Sequence, residues 1–277
     1  MNRIKILAMK EIRDGTRNRW VILTTLLMAG LALVLAMLGS TPTGTTRIST
    51  LAVSIVSLSS LSIFFIPLIA LLLSYDSIVG EGERGTLILL LAHPVARWQI
   101  VVGKFLGFLV LLSFATITGF GSAGVLLAFT SDTPFSEQAW IGFITLLLSS
   151  VLLGAVFLAI GLLISTLVRE RGAAGGVAVG IWLLFVLVYD MGLLALLSAD
   201  GGTMMSESLV TGLLLANPTD TYRMLNLTGN AEVALLSGMA SISSASKVSL
   251  TILSTLLLAW VVMPLGLACV AFQKKAI

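Results

Sequence analysis

Reactive side chains are nearly missing from this sequence: among 277 residues there is one cysteine, one histidine, and a charged fraction of only 10%. Each scarcity removes a class of function. Cys269 has no second thiol to meet, so no disulfide can form within the chain. His93, standing alone before Pro94, would need metal ligands from elsewhere, and a solitary loop histidine is the ordinary finding. No Gly-x-x-x-x-Gly-Lys-Ser/Thr phosphate loop occurs, since Gly103-Lys104-Phe105 lacks both the upstream glycine and the hydroxyl; the chain is not expected to hydrolyse ATP in that manner. Carboxylates inside apolar runs are equally scarce. Asp190, after Tyr189, is the one clear case, and a proton-coupled pump would need several arranged as a relay. Asp190 either lines a water-filled cavity or lies at headgroup depth beside the tyrosine. The adjacent Met204 and Met205 read first as packing or membrane contacts, with a copper-binding thioether pair as the alternative. No catalytic, cofactor-binding or metal residue is therefore assigned.

What the sequence has in abundance is apolar surface, at 57% of residues, too much for a soluble domain to cover. A bilayer core of about 30 Å takes roughly 20 apolar residues per helical span. Runs of that kind lie at about 20–39, 55–75, 101–129, 139–168, 173–198 and 249–272. The expected fold is one all-α integral membrane domain with six transmembrane helices. The first run is too long for a signal peptide, and Ala36-Met37-Leu38 offers no small-residue cleavage site. Before it, Ile4, Leu7, Ala8 and Ile12 share one helical face while Arg3, Lys10, Arg13 and Arg17 lie mostly elsewhere; residues 1–19 are expected to form an interfacial helix on an anionic membrane surface.

Lys and Arg distribute unevenly between the two sides. Arg3, Lys5, Lys10, Arg13, Arg17, Arg19, Arg84, Arg97, Lys104, Arg169, Arg171, Lys274 and Lys275 fall on one, and Arg47, Arg223 and Lys247 on the other, thirteen against three. By the positive-inside rule both termini are cytoplasmic, as an even number of spans requires. The net charge of +3 thus orients helices, and no nucleic-acid site is read from it. Residues 76–100 form a cytoplasmic connection and 199–248 an external loop, in which 207–216 reads as a short interfacial helix.

Gly172, Gly176 and Gly180 recur every fourth residue and let another helix approach closely, whether from this chain or from a second copy. The stretch Glu81-Gly82-Glu83-Arg84-Gly85-Thr86-Leu87-Ile88-Leu89-Leu90-Leu91-Ala92-His93-Pro94-Val95-Ala96-Arg97 is a charged turn, a short apolar helix that proline ends, and a basic entry to the next span. Such a helix either docks in a groove of a soluble partner or lies on the membrane as a connector.

That stretch resembles the coupling region of type-2 ABC permeases, in which a Glu-rich turn, Gly-Thr, a leucine run and Pro followed by a basic residue lie between spans two and three. Lys10-Glu11-Ile12-Arg13 through Arg19-Trp20 is similar to the N-terminal helix of that family. Within the family, the chain resembles the branch serving copper-site maturation of nitrous-oxide reductase, to which Asn217-Pro218-Thr219-Asp220-Thr221-Tyr222-Arg223 also points. The resemblance implies a homodimer in the bacterial inner membrane, two separate ATPase subunits that bind ATP and Mg, and a periplasmic accessory (NosD-like) protein. It implies ATPase contacts at Glu81, Glu83, Arg84, Leu87, Leu90 and Leu91, with Arg169 and Arg171 beside them. It tips the glycines toward a dimer interface and gives Asn217, Pro218, Asp220, Tyr222 and Arg223 to the periplasmic partner. Export of a lipid, drug or glycan by the same fold is the competing expectation.

Overall fold

The computed structural model describes residues 3–17, 19–39, 50–92, 94–130, 136–200, 206–228 and 249–275. His93, Met204 and Met205 lie outside them. Every regular element among the described residues is helical: α1 (Arg3–Arg17), α2 (Arg19–Gly39), α3 (Thr50–Ser74), α4 (Val79–Glu83), α5 (Thr86–Leu91), α6 (Arg97–Thr130), α7 (Glu137–Leu167), α8 (Arg171–Leu183), a π-helical turn (Leu184–Val188), α9 (Tyr189–Asp200), α10 (Glu207–Ala216), α11 (Pro218–Thr228) and α12 (Leu250–Lys274). Helices satisfy their own backbone groups, which lipid cannot do, so a chain this apolar has few other options.

Five helical stretches are long and apolar enough to cross a bilayer: 51–83, 97–129, 137–167, 171–199 and 250–274. α1 and α2 make a sixth when taken as one span bent by 70°. The chain is an all-α integral membrane protein. α3 starts at Thr50, about a turn earlier than the hydropathy of residue 55 onward suggests, and Ser54 in that turn is buried in the bundle.

Burial ranks the spans. In the most apolar window of α7, 72% is buried, whereas the stretch 171–199 has 11%. α7 is therefore the central helix, with α3, α6, α11 and α12 packed around it, and α8–α9 is peripheral. Lipid tails are as apolar as leucine, so close packing rather than hydrophobic transfer holds such helices together. Pro67 interrupts the α3 ladder, and beside it Trp182 Nε1 donates to the Phe64 carbonyl at 2.9 Å, tying α8 to α3.

One end of the bundle carries Arg3, the α4–α5 segment and Lys275, and is called here the terminal face. At the other, the far face, α10 leads into α11, which packs among α3, α7 and α12.

Candidate functional site

The terminal face is organised around a buried ammonium. Lys104, in the third turn of α6, is 2% exposed and donates to Glu11 Oε1 of α1 at 2.8 Å and to Glu81 Oε1 of α4 at 2.9 Å. Lys10 donates to the same Glu81 oxygen at 3.0 Å. Burial disfavours the charge of Lys10, but the adjacent Glu81 carboxylate outweighs it and its pKa is raised. Packing brings these charges together. An added Cβ at Gly103 would stand 2.6 Å from Leu7 Cβ, and one at Gly107 2.6 Å from Glu11 Cβ. The two glycines, four apart, let α1 lie against α6, with Leu7 and Glu11 side by side in the groove. The face formed by Ile4, Leu7, Ala8 and Ile12 thus meets protein, and Glu11 lies on it.

α4 is capped from the centre of the bundle. Ser165 Oγ of α7 accepts from the backbone N–H groups of Ile78 and Val79 at 2.9 and 3.0 Å. Gly85, with φ of 72°, then reverses the chain into α5 through a left-handed conformation that a side chain would oppose. Leu87 is buried beneath α5, whereas Ile88 and Leu89 are 63% and 67% exposed. Beyond Pro94, the Arg97 guanidinium donates to the carbonyls of Phe272 and Lys275 at 3.1 and 2.7 Å, closing the open end of α12. Lys275 Nζ donates to the Val168 carbonyl at 3.2 Å; burial, with Arg169 nearby, lowers its pKa.

The start of α8 is fastened to the same region. Arg171 Nε meets Asp76 Oδ1 at 3.0 Å, and the Arg171 backbone N–H donates to Glu83 Oε1 at 2.7 Å, placing a carboxylate at a helix N-terminus where the macrodipole favours it. The other half of this helix is fastened to the far-face insert. In the π-helical turn the Phe185 carbonyl accepts from Asn217 Nδ2 at 2.9 Å and Thr219 Oγ1 at 3.1 Å. Tyr189 OH donates to the Leu213 carbonyl at 2.7 Å. Arg223 bridges Asp190 and Asp220, at 2.8 Å from each. Burial and the neighbouring Asp190 raise the Asp220 pKa to about 7. Underneath, Tyr222 OH pairs with Ser150 Oγ and Ser149 Oγ donates to Asn226 Oδ1, both at 2.9 Å.

Several expected contacts change with these positions. Glu81 is buried in its ion pairs and Leu87 in the core, while Leu90 and Leu91 are half-buried, so these four side chains do not form the outward face of the coupling segment. Glu83, Arg84, Arg169 and Arg171 are exposed there. The outward pair, Ile88 and Leu89, was missed although the spacing held it: 87, 90 and 91 share a helical face, and the bundle took that face. At the far face Asn217, Pro218, Asp220 and Tyr222 are buried within the chain, and Arg223 is partly so; their side chains build the insert instead of presenting a surface to a partner. Asp190, partly exposed, is paired with Arg223. Gly172, Gly176 and Gly180 are exposed, with open space where a Cβ would stand, while Ala174 and Ala178 pack inward.

A membrane bundle with a short outward-turned helix at one face and an inserted helix at the other is the layout expected of a permease. Residues 5–277 match the family described as ABC-2 family transporter protein. The chain is 42% identical over 275 residues to the "Probable ABC transporter permease protein NosY" of Stutzerimonas stutzeri, covering 99% of each chain. It is 42% identical over 273 residues to the protein of the same description from Pseudomonas aeruginosa, covering 98% of each. The chain belongs to the ABC-2 transporter family and is the multi-pass permease subunit of an ABC transporter, a class that associates with ATPase subunits.

Proposed function

We propose that this chain is one half of a homodimeric permease that passes force from two cytoplasmic ABC ATPases to a periplasmic accessory protein, in maturation of the copper sites of nitrous-oxide reductase. ATP and Mg belong to the ATPases, and the permease contributes no catalytic group. The terminal face looks into the cytoplasm across the bacterial inner membrane, as the thirteen-to-three division of basic residues favours.

The observation that carries this reading is the α8–π–α9 helix, bonded at its start to Asp76 and Glu83 beside the coupling segment and at its other half to Asn217, Thr219 and Arg223 of the insert. Ile88 and Leu89 offer an apolar knob to a groove on the ATPase. Displacement of α5 pulls on α4, α4 pulls on the start of α8, and a packed helix moves as a rigid body. The exposed glycines then face a second copy, the partner against which each permease rocks. Resemblance to the copper-maturation branch and the "NosY" description of the relatives support the cargo system.

The test is reconstitution with the co-expressed ATPase. Ile88→Asp/Leu89→Asp should abolish permease-dependent stimulation of ATP hydrolysis while leaving membrane insertion intact; undiminished stimulation would sink the reading. Cysteine labelling in a Cys269→Ser background should modify Leu89→Cys from the cytoplasmic side only. Nitrous-oxide reductase lacking copper in the double variant supports the maturation role, whereas full copper loading there favours an exporter of lipid, drug or glycan.

A further inference from the structure

The terminal face carries two groups of cations that differ in how they are balanced. Lys10 and Lys104 are matched by Glu11 and Glu81. The second group, Arg97, Arg169, Lys274 and Lys275, lies at the corner where α6 begins and where α7 and α12 end. Hydrogen bonds tie this corner together: Arg97 Nη1 donates to the Phe272, Gln273 and Lys275 carbonyls at 3.1, 3.1 and 2.7 Å, and Lys275 Nζ to the Val168 carbonyl at 3.2 Å. Among the described residues, none of the four meets a carboxylate in ion-pair range. Lys275 records the imbalance: burial and Arg169 both lower its pKa and no carboxylate raises it, whereas Glu81 raises that of Lys10.

The corner's own carboxylate is Glu170, which is exposed. Asp76 and Glu83, next along, are taken up by Arg171 and the start of α8. The C-termini of α7 and α12 add about half a negative charge each, so the four cations keep a surplus of about two positive charges. Depth places that surplus. α12 has 25 residues, about 37 Å of helix, against a bilayer core of about 30 Å and about 40–45 Å with headgroups. Its end therefore lies among headgroups. Met263, Leu267 and Val270 recur at helical spacing on the face of α12 that ends at Lys274, and each is about half-exposed. A soluble protein cannot follow that stripe into the bilayer, and an acyl chain can.

We propose that this corner binds one anionic phospholipid from the leaflet beside the terminal face, its phosphate among Arg169, Lys274 and Lys275 and one acyl chain along Met263, Leu267 and Val270. Arg169 and Lys274 are exposed, and Lys275 has two N–H groups beyond the one given to Val168. A zwitterionic headgroup would bring its ammonium into the same surplus of positive charge, with Glu170 alone to receive it. The site stands whether or not the coupling role does.

The test uses the full-length chain with its ATPase partner, in nanodiscs of phosphatidylcholine and phosphatidylethanolamine containing graded phosphatidylglycerol, with retained lipid and retained ATPase read together by native mass spectrometry. Phosphatidylglycerol should be retained about tenfold over either neutral lipid, a factor that two screened charges at a membrane surface supply. Arg169→Gln/Lys274→Gln, which removes the surplus from exposed positions, should bring the three lipids to near parity. Lys5→Gln/Arg13→Gln, which takes as many exposed cations from α1, should leave the preference in place. Soluble glycerophosphoglycerol should not displace the lipid, since it lacks the acyl chains. Equal retention of the three lipids by the parent, displacement by the soluble headgroup, or an equal loss in the α1 variant would each overturn the proposal. So would an undiminished preference in the Arg169→Gln/Lys274→Gln protein; if that protein also sheds the ATPase, the corner belongs to the ATPase.

Discussion

Replacing Lys104 by methionine removes one ammonium and strands two carboxylates. Glu11 and Glu81 each hold Lys104 within 2.9 Å, on side chains that are nearly buried. Taking away one member of a buried ion pair costs about 3–5 kcal/mol, mostly for the charge left behind. Lys10 stays 3.0 Å from Glu81 and 3.7 Å from Glu11 but is itself about half-exposed, so the lower end, about 3 kcal/mol, is expected. That is a large share of the roughly 5–15 kcal/mol that stabilises a domain. The assay is equilibrium unfolding in mixed micelles followed by tryptophan fluorescence, together with hydrogen exchange over residues 3–17. Lys104→Met should lower stability by that amount and deprotect α1. Adding Glu11→Gln and Glu81→Gln, which removes the stranded charges, should recover most of the loss. The reasoning is refuted if Lys104→Met stays within about 1 kcal/mol of the parent, or if the triple variant is no more stable than the single.

Three further outcomes are expected. Because the Asp220 pKa is raised in the folded chain, that state binds the extra proton between about pH 4 and 7. Stability linked to this group is therefore greatest at low pH and is lost as pH rises through about 7. Exchange of the 218–228 amides, corrected for intrinsic rate, should slow on acidification from pH 8 to 6, and Asp220→Asn should flatten that response. Gly176→Leu enters open space, so the isolated chain should keep its stability to within about 0.5 kcal/mol while chemical crosslinking between copies falls. Arg97→Ala opens the last carbonyls of α12. A loss of about 1.5–3 kcal/mol, seen as faster exchange over 272–275, is expected.

The spans were legible because hydropathy acts on each residue separately and lipid enforces it without reference to neighbours. The coupling segment was legible for a similar reason: a charged turn, a short apolar helix and the proline that ends it are local chemistry. What escaped was pairing at a distance. Lys104 reads as one more basic residue at a span end, and its partners lie 93 and 23 positions away, where a single sequence gives no hint of them. One clue was there, in Gly103 and Gly107, whose spacing matches that of Gly172 and Gly176 and marks the track on which α1 lies. The stretch 217–223 was given to a partner by the resemblance, and its own packing could not be read from the sequence. Asn217, Asp220 and Tyr222 spend polar atoms on Phe185, Arg223 and Ser150 inside the bundle.

The extra residue held in the π turn at 184–188 changes the heading of everything beyond it. Each residue advances a helix by about 100°, so the side of α8 that shows Gly172, Gly176 and Gly180 does not continue as the same side of α9. A neighbour laid along those glycines would therefore follow them only as far as the π turn.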